Sequence, residues 1–201
     1  MTTAAEVAAV VALIDPYDAL EREHRDDVLG WLASTDDVFR RTAPRTPPKH
    51  LVAYVVLLDH ADRAVLLVDH RRSGLWLPAG GHVEPGEDPS SAARREAREE
   101  LGLETVPVEE AGCPSFVTVT ETVGPPEARH VDVSLWYLVR AQDDAAPRPD
   151  PRELAGVRWW TEDEVAASEP RRFDPHLGRF LAKVRLAGQL LPVRPTSGAT
   201  T

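Results

Sequence analysis

The stretch Gly81–Leu103, GHVEPGEDPSSAARREAREELGL, constrains this chain more than any other. Its second half is predicted to be a helix from Asp88 to Leu101. Asp88 is a good N-cap, Pro89 suits the first helical position, and Gly102 supplies a left-handed stop. Just before it, Glu84-Pro85-Gly86-Glu87 has proline and glycine at the two central positions of a type II turn, which carries a strand into the helix. On a 3.6-residue period, Glu96, Glu99 and Glu100 fall within about 100° of arc. A like-charged pair such as Glu96/Glu100 costs about 0.2–0.5 kcal/mol. Glu99 and Glu100 also sit at the negative end of the helix dipole, where a cation is preferred. A sequence that breaks local rules this openly calls for a compensating gain, and a bound divalent cation is the natural one. Taken alone, the string also reads as a solvated face on which Arg94, Arg95 and Arg98 neutralise the glutamates.

Spacing separates the two readings. Gly81, five residues, Glu87, seven residues, then Arg95-Glu96-Ala97-Arg98-Glu99-Glu100-Leu101-Gly102-Leu103 resembles the Nudix box, the signature of hydrolases acting on nucleoside diphosphates linked to another group. Every charged and glycine position is met. Ala97 departs from the pattern, standing where the family usually has a larger aliphatic residue. The resemblance implies that Glu96 and Glu100 are the principal metal ligands and that Glu99 is a further ligand or positions water. It makes Arg95 the orienter of a glutamate through a charge-assisted hydrogen bond. It assigns the Gly80 carbonyl to the coordination sphere and a supporting role to Glu87. The family frequently recruits a carboxylate from outside the box, and in MutT-type members a glutamate lies a few residues before a tryptophan-bearing strand. Glu153, six residues before Trp159, holds that place; the alternative is a solvated loop glutamate.

The residue types suit the chemistry. Negative oxygens shield a diphosphate bond from hydroxide, and magnesium, a hard cation preferring oxygen ligands, offsets that charge; manganese is a possible substitute. The single cysteine, Cys113, cannot build a zinc site, and the seven histidines are scattered without the paired helical spacing of zinc hydrolases. The Gly81-x4-Gly86 spacing imitates a phosphate-binding P-loop, but Glu87 stands where the lysine belongs, which excludes that reading.

At 201 residues the chain can bury a proper core in one domain with an appendage. A net charge of −10 argues against a bulk nucleic-acid binder but not against a small anionic substrate, for which a cation and local arginines supply the positive field. One cysteine excludes a disulfide framework within the chain and fits a reducing cytosol. The apolar runs Val7–Ile14 and Leu51–Leu58 are too short to span a bilayer, and no signal-peptide pattern opens the sequence, so a cytoplasmic protein without membrane attachment is expected.

Residues 1–41 read as a helical extension. Val7, Val10, Val11 and Ile14 share one face, and Tyr17, Leu20, His24, Val28 and Trp31 another, with Pro16 starting the second helix and Ser34 or Thr35 capping a short turn around Val38 and Phe39. Residues 42–49 form a proline-rich linker. A domain spanning 50–190 follows, and the tail 191–201 is expected to be mobile. Within the domain, Leu51–Asp59 and Ala64–Asp69 make a hairpin, and Leu75–Pro78 enters the box loop. Ser115–Thr122 and His130–Arg140 make a second hairpin joined by GPPEAR, and Val157–Trp160 is a further strand. Thr161-Glu162-Asp163-Glu164 opens a short helix with a capping box, and Leu177, Phe180, Leu181 and Val184 mark a last amphipathic helix. This order is similar to the Nudix α/β/α sandwich, with a mixed sheet and an added N-terminal helical extension. The role expected of the added helices is to cover a sheet face or make a homodimer contact; a lid over the substrate is the alternative.

A nucleotide needs a stacking surface and cations. Trp76, Phe116, Trp136 and Tyr137 are the aromatic candidates on strands, each also suited to the core, and Arg71 and Arg72 are candidates for phosphate or base contacts. The strand Arg129–Tyr137 looks like the histidine-led aromatic strand of MutT-type members. After the box, Thr118-Val119-Thr120-Glu121 has neither the proline common in ADP-ribose hydrolases nor the tyrosine common in diadenosine-polyphosphate hydrolases. The resemblance therefore implies a magnesium-dependent (d)NTP-type pyrophosphohydrolase. A nucleotide-sugar or dinucleotide pyrophosphatase, and a nucleotide-sensing domain without turnover, stand as alternatives.

Overall fold

A computed structural model describes residues 1–43, 45–108, 112–122 and 126–192. Part of the GPPEAR connection and most of the tail, for which mobility was expected, lie outside them. Two strands form the centre of the sheet, β1 (Lys49–Leu58) and β7 (Val131–Ala141), paired in parallel with Leu51 opposite Val133 and Val55 opposite Tyr137. Both read as nearly continuous apolar runs because both faces are covered. On one side β1 pairs antiparallel with β2 (Ala64–His70) and with β4 (Ala79–His82), while β2 carries β3 (Leu75–Leu77) and β8 (Leu154–Thr161). On the other side β7 pairs antiparallel with β5 (Thr105–Pro107) and β6 (Phe116–Glu121). The result is a mixed eight-stranded sheet.

Strand alternation divides the core in two. Leu51, Ala53, Val55, Leu57, Val133 and Leu135 face a layer made by α1 (Ala4–Ala12), α2 (Ala19–Ser34) and α3 (Pro89–Leu101). Val56, Leu58, Trp136 and Leu138 face α5 (Leu177–Leu186), with the short α4 (Glu162–Ala167) alongside. That is the α/β/α sandwich. Leu177, Phe180, Leu181 and Val184 are all buried, and Thr161 and Glu164 form the expected capping box. No helix among the described residues is long and apolar enough to cross a membrane.

The N-terminal helices differ from expectation in detail. Asp18, not Pro16, starts α2, because its carboxylate accepts the Glu21 N–H at 2.8 Å. The buried stripe of α2 is Glu21, Val28 and Leu32, while Tyr17 and Leu20 are exposed. The stripe is rotated because a charge points inward: Glu21 is fully buried and paired with Lys183 of α5 at 2.7 Å. Asp18 is paired likewise with Arg179 of α5. Val38 and Phe39 are buried without a helical turn, in chain that lies beside β1, where the Leu51 N–H donates to the Val38 carbonyl at 2.9 Å. In the proline-rich segment Thr42 and Thr46 bridge each other.

Candidate active site

Helix α3 forms as its caps dictate. Asp88 accepts the Ser91 N–H, Pro89 opens the helix, and Gly102 closes it at φ 67°. Ala92, Ala93, Ala97 and Leu101 are buried against the sheet, so the small Ala97 lets the helix approach closely. The opposite edge presents the glutamates to a loop built for contact. The Glu87 N–H donates to the Glu84 carbonyl at 2.9 Å with Gly86 at φ 77°, as a type II turn requires. A β-carbon on Gly81 would lie 2.3 Å from Glu96 Oε1, and one on Gly80 2.3 Å from the Ala53 carbonyl oxygen. The carboxylates and the β4 backbone therefore meet at a distance only glycine permits.

Arg95 holds this edge together. Its guanidinium donates to both Glu87 oxygens (3.0 and 2.9 Å), to Glu96 Oε1 (2.6 Å), to Glu99 Oε2 (3.1 Å) and to the His82 carbonyl (3.1 Å). Burial opposes ionisation of Glu87, yet its bonds to Arg95 and to the Glu84 N–H win and its pKa is lowered. Burial raises the pKa of Glu96, with Arg95 opposing. Glu100 is 5 % exposed and accepts the Gly80 N–H at 3.1 Å. Its pKa is pushed up to about 8 by burial first, the Gly80 bond opposing, with the charges of Glu96, Glu153 and Asp150 adding to the rise. Glu99 stays exposed. Carboxylates this close, short of positive charge, form an all-oxygen donor set of the kind a hard divalent cation takes. Glu96, Glu99 and Glu100 fit magnesium.

A cleft of about 880 Å³ opens over this edge. It is lined by Gly80, Gly81, Arg95, Glu96, Glu99 and Glu100, and also by Arg71, Arg72 and Glu153. Arg71 is committed to the protein: its Nε donates to the Pro151 and Leu154 carbonyls at 3.1 Å, and its backbone N–H to the Glu153 carbonyl, which ties down the loop carrying Glu153. Arg72 makes no hydrogen bond or ion pair among the described residues. None of the four aromatic candidates lines the cleft. Phe116 and Trp136 are fully buried in the core beneath α5, where Trp136 Nε1 donates to Thr118 Oγ1 at 3.1 Å, and Tyr137 is buried on the other face. Trp76 packs edge-on against Trp160 at 5.3 Å, also outside the cleft lining. These corrections share a physical cause: a sheet covered on both faces spends its strand aromatics on packing.

Several cleft residues escaped the sequence reading. Arg40, from the N-terminal side, faces the glutamates and Arg72; burial lowers its pKa, and it has no hydrogen-bond or ion-pair partner among the described residues. Arg41 beside it is paired with Asp37 at 2.7 Å. His70 and His82 also line the cleft. The signal for Arg40 was the Arg40-Arg41 doublet before the linker, which carries no spacing rule. The histidines, read as scattered, in part converge: His50, His82 and His130 meet Asp132 beside the cleft.

The site is therefore a sandwich fold whose box helix presents clustered carboxylates to a cleft with arginines opposite, a donor set suited to a hard divalent cation. The comparisons agree. Residues 48–184 match the NUDIX domain, and the chain belongs to the Nudix family. It is 34% identical over 131 residues to the m7GpppN-mRNA hydrolase NUDT17 of Danio rerio, covering 58% of this chain and 43% of that protein. It is 33% identical over 148 residues to the isopentenyl-diphosphate Delta-isomerase of Nocardia farcinica, covering 69% of this chain and 81% of that protein. The chain thus spans less than half of the mRNA hydrolase it matches. Its fold is shared with a C. elegans Ap4A hydrolase at TM-score 0.52 and 19% identity, over 69% of this chain and 98% of that one.

Proposed function

We propose that this protein is a magnesium-dependent pyrophosphohydrolase of the (d)NTP type, splitting a nucleoside triphosphate with water into nucleoside monophosphate and pyrophosphate. The observation that carries the reading is the charge division of one cleft: Glu96, Glu99, Glu100 and Glu153 on one side, Arg40 and Arg72 unpaired on the other. Magnesium held by Glu96, Glu99, Glu100 and the Gly80 carbonyl would supply charge neutralisation along the diphosphate. The protein's own groups do the rest. Arg95 locks Glu87 and Glu96 in place, Arg40 and Arg72 bind the outer phosphates, and Glu153 or Glu99 orients water and takes its proton. No Phe, Tyr or Trp is among the described lining residues, so recognition falls on the phosphates and discrimination among bases is expected to be weak.

The test is a product analysis across nucleoside triphosphates, nucleotide sugars, dinucleoside polyphosphates, ADP-ribose, capped RNA and isopentenyl diphosphate, with magnesium and with chelator. Monophosphate and pyrophosphate from several triphosphates, lost with chelator, is the expected result. Cleavage confined to nucleotide sugars or dinucleotides would move the substrate class. Tight nucleotide binding without turnover would make the chain a sensor. Rearrangement of isopentenyl diphosphate without anhydride cleavage would overturn the hydrolase reading for this substrate class.

A further inference from the structure

We propose a second metal site, distinct from the box glutamates: His50, His82, His130 and Asp132 hold one zinc-class transition-metal ion at the cleft-side end of the sheet. The four residues come from three neighbouring strands and the approach to one of them. His50 on β1 is registered with Asp132 on β7, and Val52, two residues on, is registered with His82 on β4. His130 precedes Asp132 by two, so strand alternation turns all four side chains to the same face. Their ligand atoms lie within 4.8 Å of one another.

Two details of the geometry point to an ion. The Nδ1 of His50 lies 2.8 Å from the Pro47 carbonyl, and the Nδ1 of His130 lies 2.8 Å from the Ala128 carbonyl. A carbonyl only accepts, so each Nδ1 carries the proton, and in the neutral ring each Nε2 keeps a lone pair. That is the second-shell pattern of histidine ligands, with the backbone fixing the tautomer. Both Nε2 atoms then face the same acceptor, Asp132 Oδ1, at 3.4 and 3.3 Å. Neutral imidazole lone pairs aimed at a carboxylate oxygen repel it. His50 is fully buried, and neither its Nε2 nor Asp132 Oδ1 nor His82 Nε2 finds a hydrogen-bond partner. A cation between them satisfies all three. The two distances also match the edge of a tetrahedron with metal–ligand bonds of 2.0–2.1 Å, which is about 3.3–3.4 Å.

Three imidazoles and one carboxylate select a borderline-soft ion over magnesium. Four protein ligands close the coordination sphere, as in structural sites. The ion would fasten the Pro47 turn, and with it the segment carrying Arg40, to β4 and β7. This site does not depend on the substrate reading.

Cobalt(II) and zinc binding to the full chain test it directly. Metal-free protein titrated with Co²⁺ should give an intense visible spectrum of tetrahedral cobalt, displaced by one equivalent of Zn²⁺. Asp132→Asn and His82→Asn should each weaken cobalt binding by about 100-fold or more, while Glu100→Gln leaves the spectrum unchanged. Because His50 is buried, His50→Gln is read by circular dichroism first; a folded variant should lose the spectrum. Absence of a tetrahedral cobalt spectrum, or its loss in Glu100→Gln with retention in Asp132→Asn, would overturn the site. The first result would leave an imidazolium–carboxylate cluster; the second would place the ion on the box.

Discussion

Glu100 carries the sharpest consequence of the box geometry. Its carboxyl is buried among other acids, with pKa raised from 4.5 to about 8. A carboxyl whose folded pKa is raised binds its proton more tightly when folded. Its contribution to stability is therefore fully present below about pH 4.5 and is lost as pH rises through about 8. In metal-free protein, Glu100→Gln should be more stable than the wild type at about pH 8.5, by on the order of 1–3 kcal/mol, and the gap should close toward pH 5. Denaturant unfolding at the two pH values reads this, and a gap independent of pH would contradict it. The box was legible in the sequence because its information is local: caps, turn and glutamate period all lie within one short stretch. The fate of Phe116 and Trp136 was not. Alternation tells which strand residues share a face, but not whether that face meets a cleft or a helix layer.

Elements were mostly legible where apolar periodicity was clean, as in β1, β7 and α5. Helix α2 was not, because Glu21 occupies a core position that periodicity assigns to solvent. Its ion pair with Lys183, and that of Asp18 with Arg179, bind α2 to α5 past the edge strand β6. Lys183→Met would leave the Glu21 carboxylate buried without its cation, at a cost of about 3 kcal/mol. Thermal unfolding near neutral pH checks this, and an unchanged midpoint would refute the pairing as a stabilising contact. The segment after α2 brings Arg40 to the cleft. Arg40→Ala should raise KM for a triphosphate about tenfold with little change in kcat, as loss of uniform phosphate binding does. An equal drop in kcat at constant KM would instead assign Arg40 to the transition state.

At the scale of the molecule, the N-terminal helices belong to the core rather than to an accessory surface. Val7, Val11, Ile14, Val28 and Leu32 are buried in the cluster that contains Leu51 and Val133, and the Thr2 N–H donates to the Gly86 carbonyl of the box loop at 2.9 Å. Deleting residues 1–41 should yield insoluble or unfolded chain, followed by solubility and circular dichroism; a folded, active fragment would contradict this. The sequence pattern found these helices and suggested covering as their role, but their docking partners are non-local and no short-range rule reaches them. The same is true of the histidine cluster, whose members are separated by 32 and 48 residues and meet only through strand register. The proposed function rests on the carboxylates of α3, which would drive cleavage of a phosphate anhydride. The most direct test is hydrolysis of a nucleoside triphosphate in heavy-oxygen water with magnesium, comparing wild type with Glu100→Gln. Label entering one phosphate product at a rate that falls at least about 1,000-fold in the variant is the predicted result. Equal label incorporation by a folded Glu100→Gln protein would contradict the account.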